Sequence, residues 1–542
     1  CKNKGEDARL YKAVEAASEF SIALGINIPT GKDSLSMTQK YKNGDVVYAP
    51  GTVIISGSGE VTDIKKVVEP VLKHVADSSI IYIDLSKSVL ELGGSTFGQI
   101  INKLGTDTPT ITDPTYFAKA FAAIQSLIEK GLILAGHDIS AGGLITTLLE
   151  MNFANTKGGI SVSLDGFAES DLVKILFSEN PAVVLQVGSE AKVELTKAGI
   201  SFIEIGKPAS ERKAIISKGN KSLSLDIDSL RDKWYKTSYL LDRRQCGEKK
   251  AKERFENYKN IPLSFQFPKD FNGTLASYGL DLKRRNKSGV RAAIIREKGV
   301  NGDREMAWSM HLAGFDVKDV HMTDLIAGRE TLEDVNFIVF VGGFSNSDVL
   351  GSAKGWAGAF LYNEKAKNAL EKFYARKDTM SLGVCNGCQL VVELNSILNI
   401  FGYNHARQPK MLHNESHKFE SNFVGVSVEQ SNSIMLGSLS GSKLGIWIAH
   451  GEGKFYLPEA ESNYNVALKY AYTQYPANPN GSDYNVAGIC STDGRHLAMM
   501  PHLERATYTW NWAHYPENRK QDQVTPWIEA FVNARKWIEK MK

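Results

Sequence analysis

Ser381-Leu382-Gly383-Val384-Cys385-Asn386-Gly387-Cys388 is the stretch on which the reading turns. An apolar strand ends at Val384, and a helix is predicted over Cys388–Leu394, so Cys385 sits on the turn between them. Small neighbours suit a sharp strand-to-helix elbow whose backbone leaves no room for a Cβ on either side. The free N–H groups and dipole of the helix that follows favour thiolate over thiol. Cys385 is therefore a candidate nucleophile. Two other readings fit the same letters: a buried structural cysteine, and a redox pair formed by Cys385-x-x-Cys388. Glycines flanking the first cysteine favour a single nucleophile.

Working outward, strands at Val290–Ile295, Asp316–His321, Phe337–Val341 and Ser381–Val384 alternate with helices, one of them over 302–313. That alternation predicts an open parallel sheet with helices on both faces, a doubly wound α/β domain. A thiolate attacking an acyl group needs a base and an oxyanion site. Eleven histidines compete for the first role. His502 follows the strand Leu497–Met500, and in an extended segment His502 and Glu504 point to the same side. His450, in Ala449-His450-Gly451-Glu452-Gly453, is the rival, again with a carboxylate two residues on. For the oxyanion, Gly342-Gly343-Phe344-Ser345 offers backbone N–H groups at a strand's C-terminal end, although an ordinary tight turn would read the same way.

Upstream, helix 6–24 leads into Pro29-Thr30-Gly31-Lys32-Asp33-Ser34, followed by strands at Val46–Tyr48 and Gly51–Ser56 and a helix near Ile64–Val75. Strand Ile80–Leu85 and helix 115–130 come next. The run Leu132–Ala135 then delivers Gly136-His137-Asp138-Ile139-Ser140-Ala141-Gly142-Gly143, and the pattern to about 228 is α+β. From Arg231 to Lys259 long charged side chains dominate, as in an exposed helical linker. The expected division is 1–76, 77–228, a linker 229–286, and 287–542.

A chain of 542 residues is too long for one ordinary core. Its 23% charged and 42% hydrophobic residues suit a soluble globular protein. Lys+Arg 64 against Asp+Glu 61 argues against a dedicated nucleic-acid binder. No apolar run approaches the roughly eighteen residues of a membrane span. Cys1–Asp7 has no signal-peptide stretch and no initiator Met, which suggests a cut chain. Five cysteines in such a length point to a reducing cytoplasm rather than a disulfide scaffold.

Gly383–Gly387, the Gly-Gly-Phe loop at 342–344 and Pro501-His502-Leu503-Glu504-Arg505 together resemble a class I (triad) glutamine amidotransferase. Val341–Ser345 with Asp348-Val349-Leu350-Gly351, Ala449–Gly453 and Pro479-Asn480-Gly481-Ser482 narrow the resemblance to the phosphoribosylformylglycinamidine synthase family, large form. Pro29–Met37 and His137–Gly143 resemble the second half of that family's synthetase region. The resemblance implies α/β and α+β domains: partial synthetase domains like those of aminoimidazole ribonucleotide synthetase, then a flavodoxin-like glutaminase. It implies conversion of formylglycinamide ribonucleotide, ATP and glutamine to the amidine, ADP, phosphate and glutamate, a step of purine biosynthesis.

By the same resemblance Cys385 is the nucleophile, His502 the base and acid, and Glu504 the orienting carboxylate, with Gly343 and Asn386 supplying oxyanion N–H groups. Asp138 falls on a Mg²⁺-binding position, the carboxylate being a hard oxygen ligand. Ser140 and Gly31 fall on nucleotide-binding positions and Ser34 on a substrate-binding one, with ATP as substrate and ADP as a possible bound nucleotide. Gly142-Gly143 lets backbone approach phosphate. The large form carries a further N-terminal synthetase half, the expected partner, of which nothing is encoded here. Asn422 stands where the family pattern leads one to expect Arg. Another glutamine-dependent synthetase, or a structural fragment with incomplete sites, are the alternatives.

Overall fold

The structure is a computed structural model that describes residues 3–32, 37–49 and 51–541. It divides into two compact units, Cys1–Tyr235 and Lys236–Lys542.

In the first unit, a seven-stranded sheet runs in the order Ile133–Asp138, Ala182–Val187, Ser79–Asp84, Ile203–Ala209, Gly159–Ser163, Lys213–Lys218, Lys221–Asp226. Only Gly159–Ser163 and Lys213–Lys218 pair in parallel. Strand Ser79–Asp84 shows why both faces are covered. Its side chains alternate, so Ile80 and Tyr82 enter one core with Leu144 and Leu148, while Ile81 and Ile83 enter another with Ile124 and Leu127. Helix Pro114–Glu129 starts where Asp113 caps the Tyr116 N–H and proline takes the first turn.

The first seventy residues are built differently. Helix Glu6–Leu24 buries none of its side chains, and Thr38–Lys40 pairs only with Val46–Tyr48. Gly51–Ser56, expected as a strand, forms none, and no helix spans Ile64–Val75. Gly51–Ser56 has the right composition but its Val53, Ile54 and Ile55 stay exposed, Ile54 at 85%, whereas Ile64–Val75 runs as irregular chain that packs on the sheet unit through Val68 and the buried Leu72. A strand needs a neighbour to satisfy its backbone. From Leu72, whose N–H bonds Met151 O, the chain joins the sheet unit.

The second unit holds a nine-stranded sheet in the order Asp316–His321, Arg291–Arg296, Phe337–Phe340, Met380–Val384, His496–Met499, Val486–Cys490, Val466–Tyr470, Glu420–Val428, Lys443–His450. The first five strands are parallel, as a doubly wound domain requires. The remaining four are antiparallel, so the sheet is mixed rather than parallel throughout. The parallel strands read as continuous apolar runs because both faces are buried, as in Phe337–Phe340. Helix Ile227–Asn257, broken at Gly247, contains the boundary between the units.

Candidate active site

Three adjacent parallel strands, Phe337–Phe340, Met380–Val384 and His496–Met499, end on one edge of the sheet, where ligand sites of open α/β sheets form. Gly342-Gly343, Cys385 and His502 lie just past those ends. Cys385 adopts φ 54, ψ −110 and caps helix Asn386–Leu398. The elbow is crowded. A Cβ on Gly383 would come within 2.5 Å of Gly387 O, and one on Gly387 within 2.0 Å of Phe340 O. The two glycines are what let the strained cysteine sit between strand and helix.

Gly342 lies against both reactive side chains: a Cβ there would sit 2.7 Å from His502 Cε1 and 3.2 Å from Cys385 Cβ. Cys385 Sγ approaches Ala449 O at 3.5 Å. His502 Nδ1 meets Glu504 Oε1 at 2.6 Å, with both side chains buried. The route differs from the extended segment expected, because Leu503–Arg505 is a single 3₁₀ turn that folds the carboxylate back to the ring. Burial disfavours the imidazolium, but Glu504 and then Cys385 outweigh it and raise the His502 pKa to about 9.

His450 is placed otherwise. Burial, with His502 nearby, pulls it down to about 3, and neither ring nitrogen has a hydrogen-bond partner among the described residues. Its supposed carboxylate partner, Glu452, instead accepts the Ser352 N–H at 3.3 Å. Geometry thus joins His502, and not His450, to a carboxylate.

Gly343 has φ +123, and a Cβ there would stand 2.5 Å from Val300 Cα. Flanking bonds, Asn301 N–H to Gly342 O and Phe344 N–H to Gly299 O, both 2.8 Å, lock this loop in place. Asn386 opens the helix, so its N–H has no intrahelical acceptor. Its side chain accepts from Ser345 N–H and donates to Gln389, which in turn donates to Glu452 O.

Around Cys385 opens a cleft of about 440 Å³, whose walls include Phe344, Asp348, Gln389, Lys418, His450 and Glu452. Sequence reasoning missed Asp348, Gln389 and Lys418 as wall residues. Gln389 was findable, one helical turn beyond Cys385; Lys418 was not, as its neighbours are remote in sequence. Asn422 is exposed on its strand, and its Oδ1 accepts the Phe423 N–H at 2.9 Å. Cys388 is fully buried, burial pushes its thiol well up, and Cys246, Cys385, Cys388 and Cys490 are all free.

In the first unit, Asp138 ends strand Ile133–Asp138 with its carboxylate 71% exposed and 3.2 Å from His137 Nδ1. Ser140 and Gly31 are exposed; Ser34 lies outside the described residues. On the Gly142-Gly143 turn, expected to let backbone approach phosphate, the Gly142 N–H donates to Glu179 at 2.8 Å. Among the described residues no three His, Cys, Asp or Glu side chains converge as a metal site. Mg²⁺ prefers six oxygen ligands, and Asp138 alone does not build its site.

The geometry and the comparisons agree on a class. Residues 289–538 match the family model for the CobB/CobQ-like glutamine amidotransferase domain. Residues 76–214 match the C-terminal domain of AIR synthase related proteins, and 1–60 the FGAR-AT PurM_N-like domain. Over nearly the whole of its length the chain is similar to phosphoribosylformylglycinamidine synthases. The probable chloroplastic/mitochondrial enzyme of Arabidopsis thaliana is 41% identical, covering 99% of this chain and 39% of that one. The Homo sapiens enzyme is 38% identical, covering 99% and 42%. The chain thus spans about two fifths of the length of these relatives. Among solved structures, PurLQS of Thermotoga maritima aligns at 24% identity and a TM-score of 0.36, over 46% of this chain and 98% of that one. No helix among the described residues is long and apolar enough to cross a membrane.

The buried histidines make stability depend on pH in both directions. His450 and His496 titrate near 3 when folded, chiefly through burial, but about 6.5 when unfolded. Below about pH 6.5 the unfolded chain gains protons that the folded chain refuses, so stability falls with pH. His502 works oppositely: its contribution is full below about 6.5 and is lost as pH rises through about 9. Thermal unfolding should therefore show its highest Tm near neutrality. His496→Asn should flatten the acid limb; an unchanged limb in that variant would count against the assignment.

Proposed function

We propose that this chain carries the glutaminase of a phosphoribosylformylglycinamidine synthase, and that the observation carrying the reading is the Cys385–His502–Glu504 constellation at the sheet's C-terminal edge. The Cys385 thiolate attacks the carboxamide carbon of glutamine. The oxygen of the tetrahedral adduct takes the Gly343 and Asn386 N–H groups. His502, protonated and held by Glu504, gives its proton to the departing nitrogen, and ammonia leaves a glutamyl thioester on Cys385. His502, now neutral, takes a proton from water as that water attacks the thioester, releasing glutamate and restoring the pair.

In the whole enzyme the ammonia would meet formylglycinamide ribonucleotide, its amide oxygen activated by ATP, to give formylglycinamidine ribonucleotide. Asp138, with Ser140, Gly31 and Ser34, would be this chain's share of a nucleotide, Mg²⁺ and substrate site that a further N-terminal synthetase half completes. The thiolate needs a reducing compartment, which the cytoplasm provides. Glutamate release from glutamine by these 542 residues tests the reading. No release from folded protein would leave a structural fragment instead.

Positioning supplies much of the rate in phosphoryl transfer, so half a synthetase site should lose nearly all of it. Calorimetric titration with ADP and Mg²⁺ is expected to show weak or no binding to this chain. Tight binding would mean that ligands other than Asp138 come from within the chain.

A further inference from the structure

One wall of the cleft is braced by ion pairs from a helix behind it. The wall is residues 413–419, between strands Lys410–Leu412 and Glu420–Val428, and His413, His417, Lys418 and Phe419 of it face the cleft. Asn414 ties its base inward: its N–H bonds Gly451 O at 2.9 Å and its amide reaches His450 O at 2.7 Å. The outer side is gripped by ion pairs from residues 242–254 of helix Ile227–Asn257, all within the second unit. Lys418 Nζ donates to Asp242 Oδ1 at 2.5 Å, Lys250 meets Glu415 at 3.0 Å, and Arg254 meets Glu420 at 2.8 Å. Tyr475 donates to the other Glu420 oxygen at 2.7 Å.

Lys418 differs from the other cations because it is the one that also lines the cleft. Its side chain is 18% exposed and that of Asp242 10%, so the pair is poorly screened and well fixed. An ammonium has three donors, of which Asp242 takes one. The same cleft is lined by Asp348 and Glu452. A cation and two carboxylates lining one cleft match the zwitterionic head of a free α-amino acid, carboxylate toward Lys418 and ammonium toward the acids.

We propose that Asp242 is a positioning residue for this cleft: it holds Lys418 where the ammonium takes the substrate's α-carboxylate. The proposal rests on the glutaminase reading. Asp242 touches no reacting atom, so its loss weakens substrate binding more than chemistry. Charge-assisted hydrogen bonds of this kind correspond to about 10–100-fold in affinity. Asp242→Asn should raise the KM for glutamine by about 10-fold with kcat changed less than about threefold, Lys418→Met should do at least as much, and Asp242→Glu should restore most of the loss.

Labelling of Cys385 separates positioning from general damage. 6-Diazo-5-oxo-L-norleucine carries the amino-acid head, whereas iodoacetamide does not. In Asp242→Asn and Lys418→Met, labelling by the diazo compound should slow while labelling by iodoacetamide stays near the parent rate. Equal slowing with both reagents, or a KM unchanged in Lys418→Met, overturns the proposal. Parent protein that reacts with iodoacetamide but not with the diazo compound overturns the glutaminase reading itself, and this proposal with it.

Discussion

Cys385→Ala is expected to release no glutamate above background, while Cys388→Ala keeps most of its activity. The two residues share a motif but not an environment. Cys385 is forced to φ 54 at the head of helix Asn386–Leu398, beside His502 and at the floor of the cleft. Cys388 lies one turn into the same helix, fully buried, where desolvation keeps its sulfur protonated and inert. Removing a nucleophile removes every covalent step, and losses of about 10⁴–10⁶-fold are the usual scale. Replacing Cys388 deletes one buried sulfur and should cost only about 1 kcal/mol of stability. Glutamate release, with peptide mapping of an alkylated cysteine, measures both effects. Equal loss in the two variants would sink the single-nucleophile assignment and bring back a dithiol role.

The elbow was legible because everything that makes it is local: an apolar strand, two glycines and a helix start within eight residues. The parallel strands were legible too, since burial on both faces writes an unbroken apolar run into Phe337–Phe340 and its neighbours. What escaped depended on distant partners. The antiparallel half of the second sheet, from Val486–Cys490 to Lys443–His450, leaves no signature of pairing direction in any one strand. Gly51–Ser56 carries a strand's letters but has no pairing strand, and Ile64–Val75 carries a helix's letters but docks on the sheet unit as irregular chain, with Leu72 buried. His450 and His502 looked equivalent, each with a carboxylate two residues on. The resemblance favours His502, and folding supplies the physical reason: Leu503–Arg505 turns Glu504 back to its histidine while Glu452 is drawn to Ser352. The pairing of Asp242 with Lys418 bridges 176 positions and leaves no trace in spacing.

His502→Ala should lower kcat/KM for glutamine by about 10²–10⁴-fold, the scale of a lost general acid–base group. Glu504→Gln should cost less, and in a distinguishable way. Glutamine at 504 still offers Nδ1 an oxygen to bond, so the ring keeps its orientation but loses the charge that favours imidazolium. Since that charge, with Cys385, is what lifts His502 to about 9, the pKa must fall when it is removed. The leaving nitrogen needs a protonated His502, so the alkaline limb of the kcat/KM profile should move to lower pH in Glu504→Gln. His450 has no carboxylate and stays neutral to about pH 3, so His450→Ala should leave that limb where it is in the parent. Glutamate release measured from pH 6 to 10 in the three variants decides the matter. A His450→Ala protein that folds yet is less active than His502→Ala would reassign the base, and an alkaline limb unmoved by Glu504→Gln would show that the 2.6 Å contact orients the ring without setting its charge.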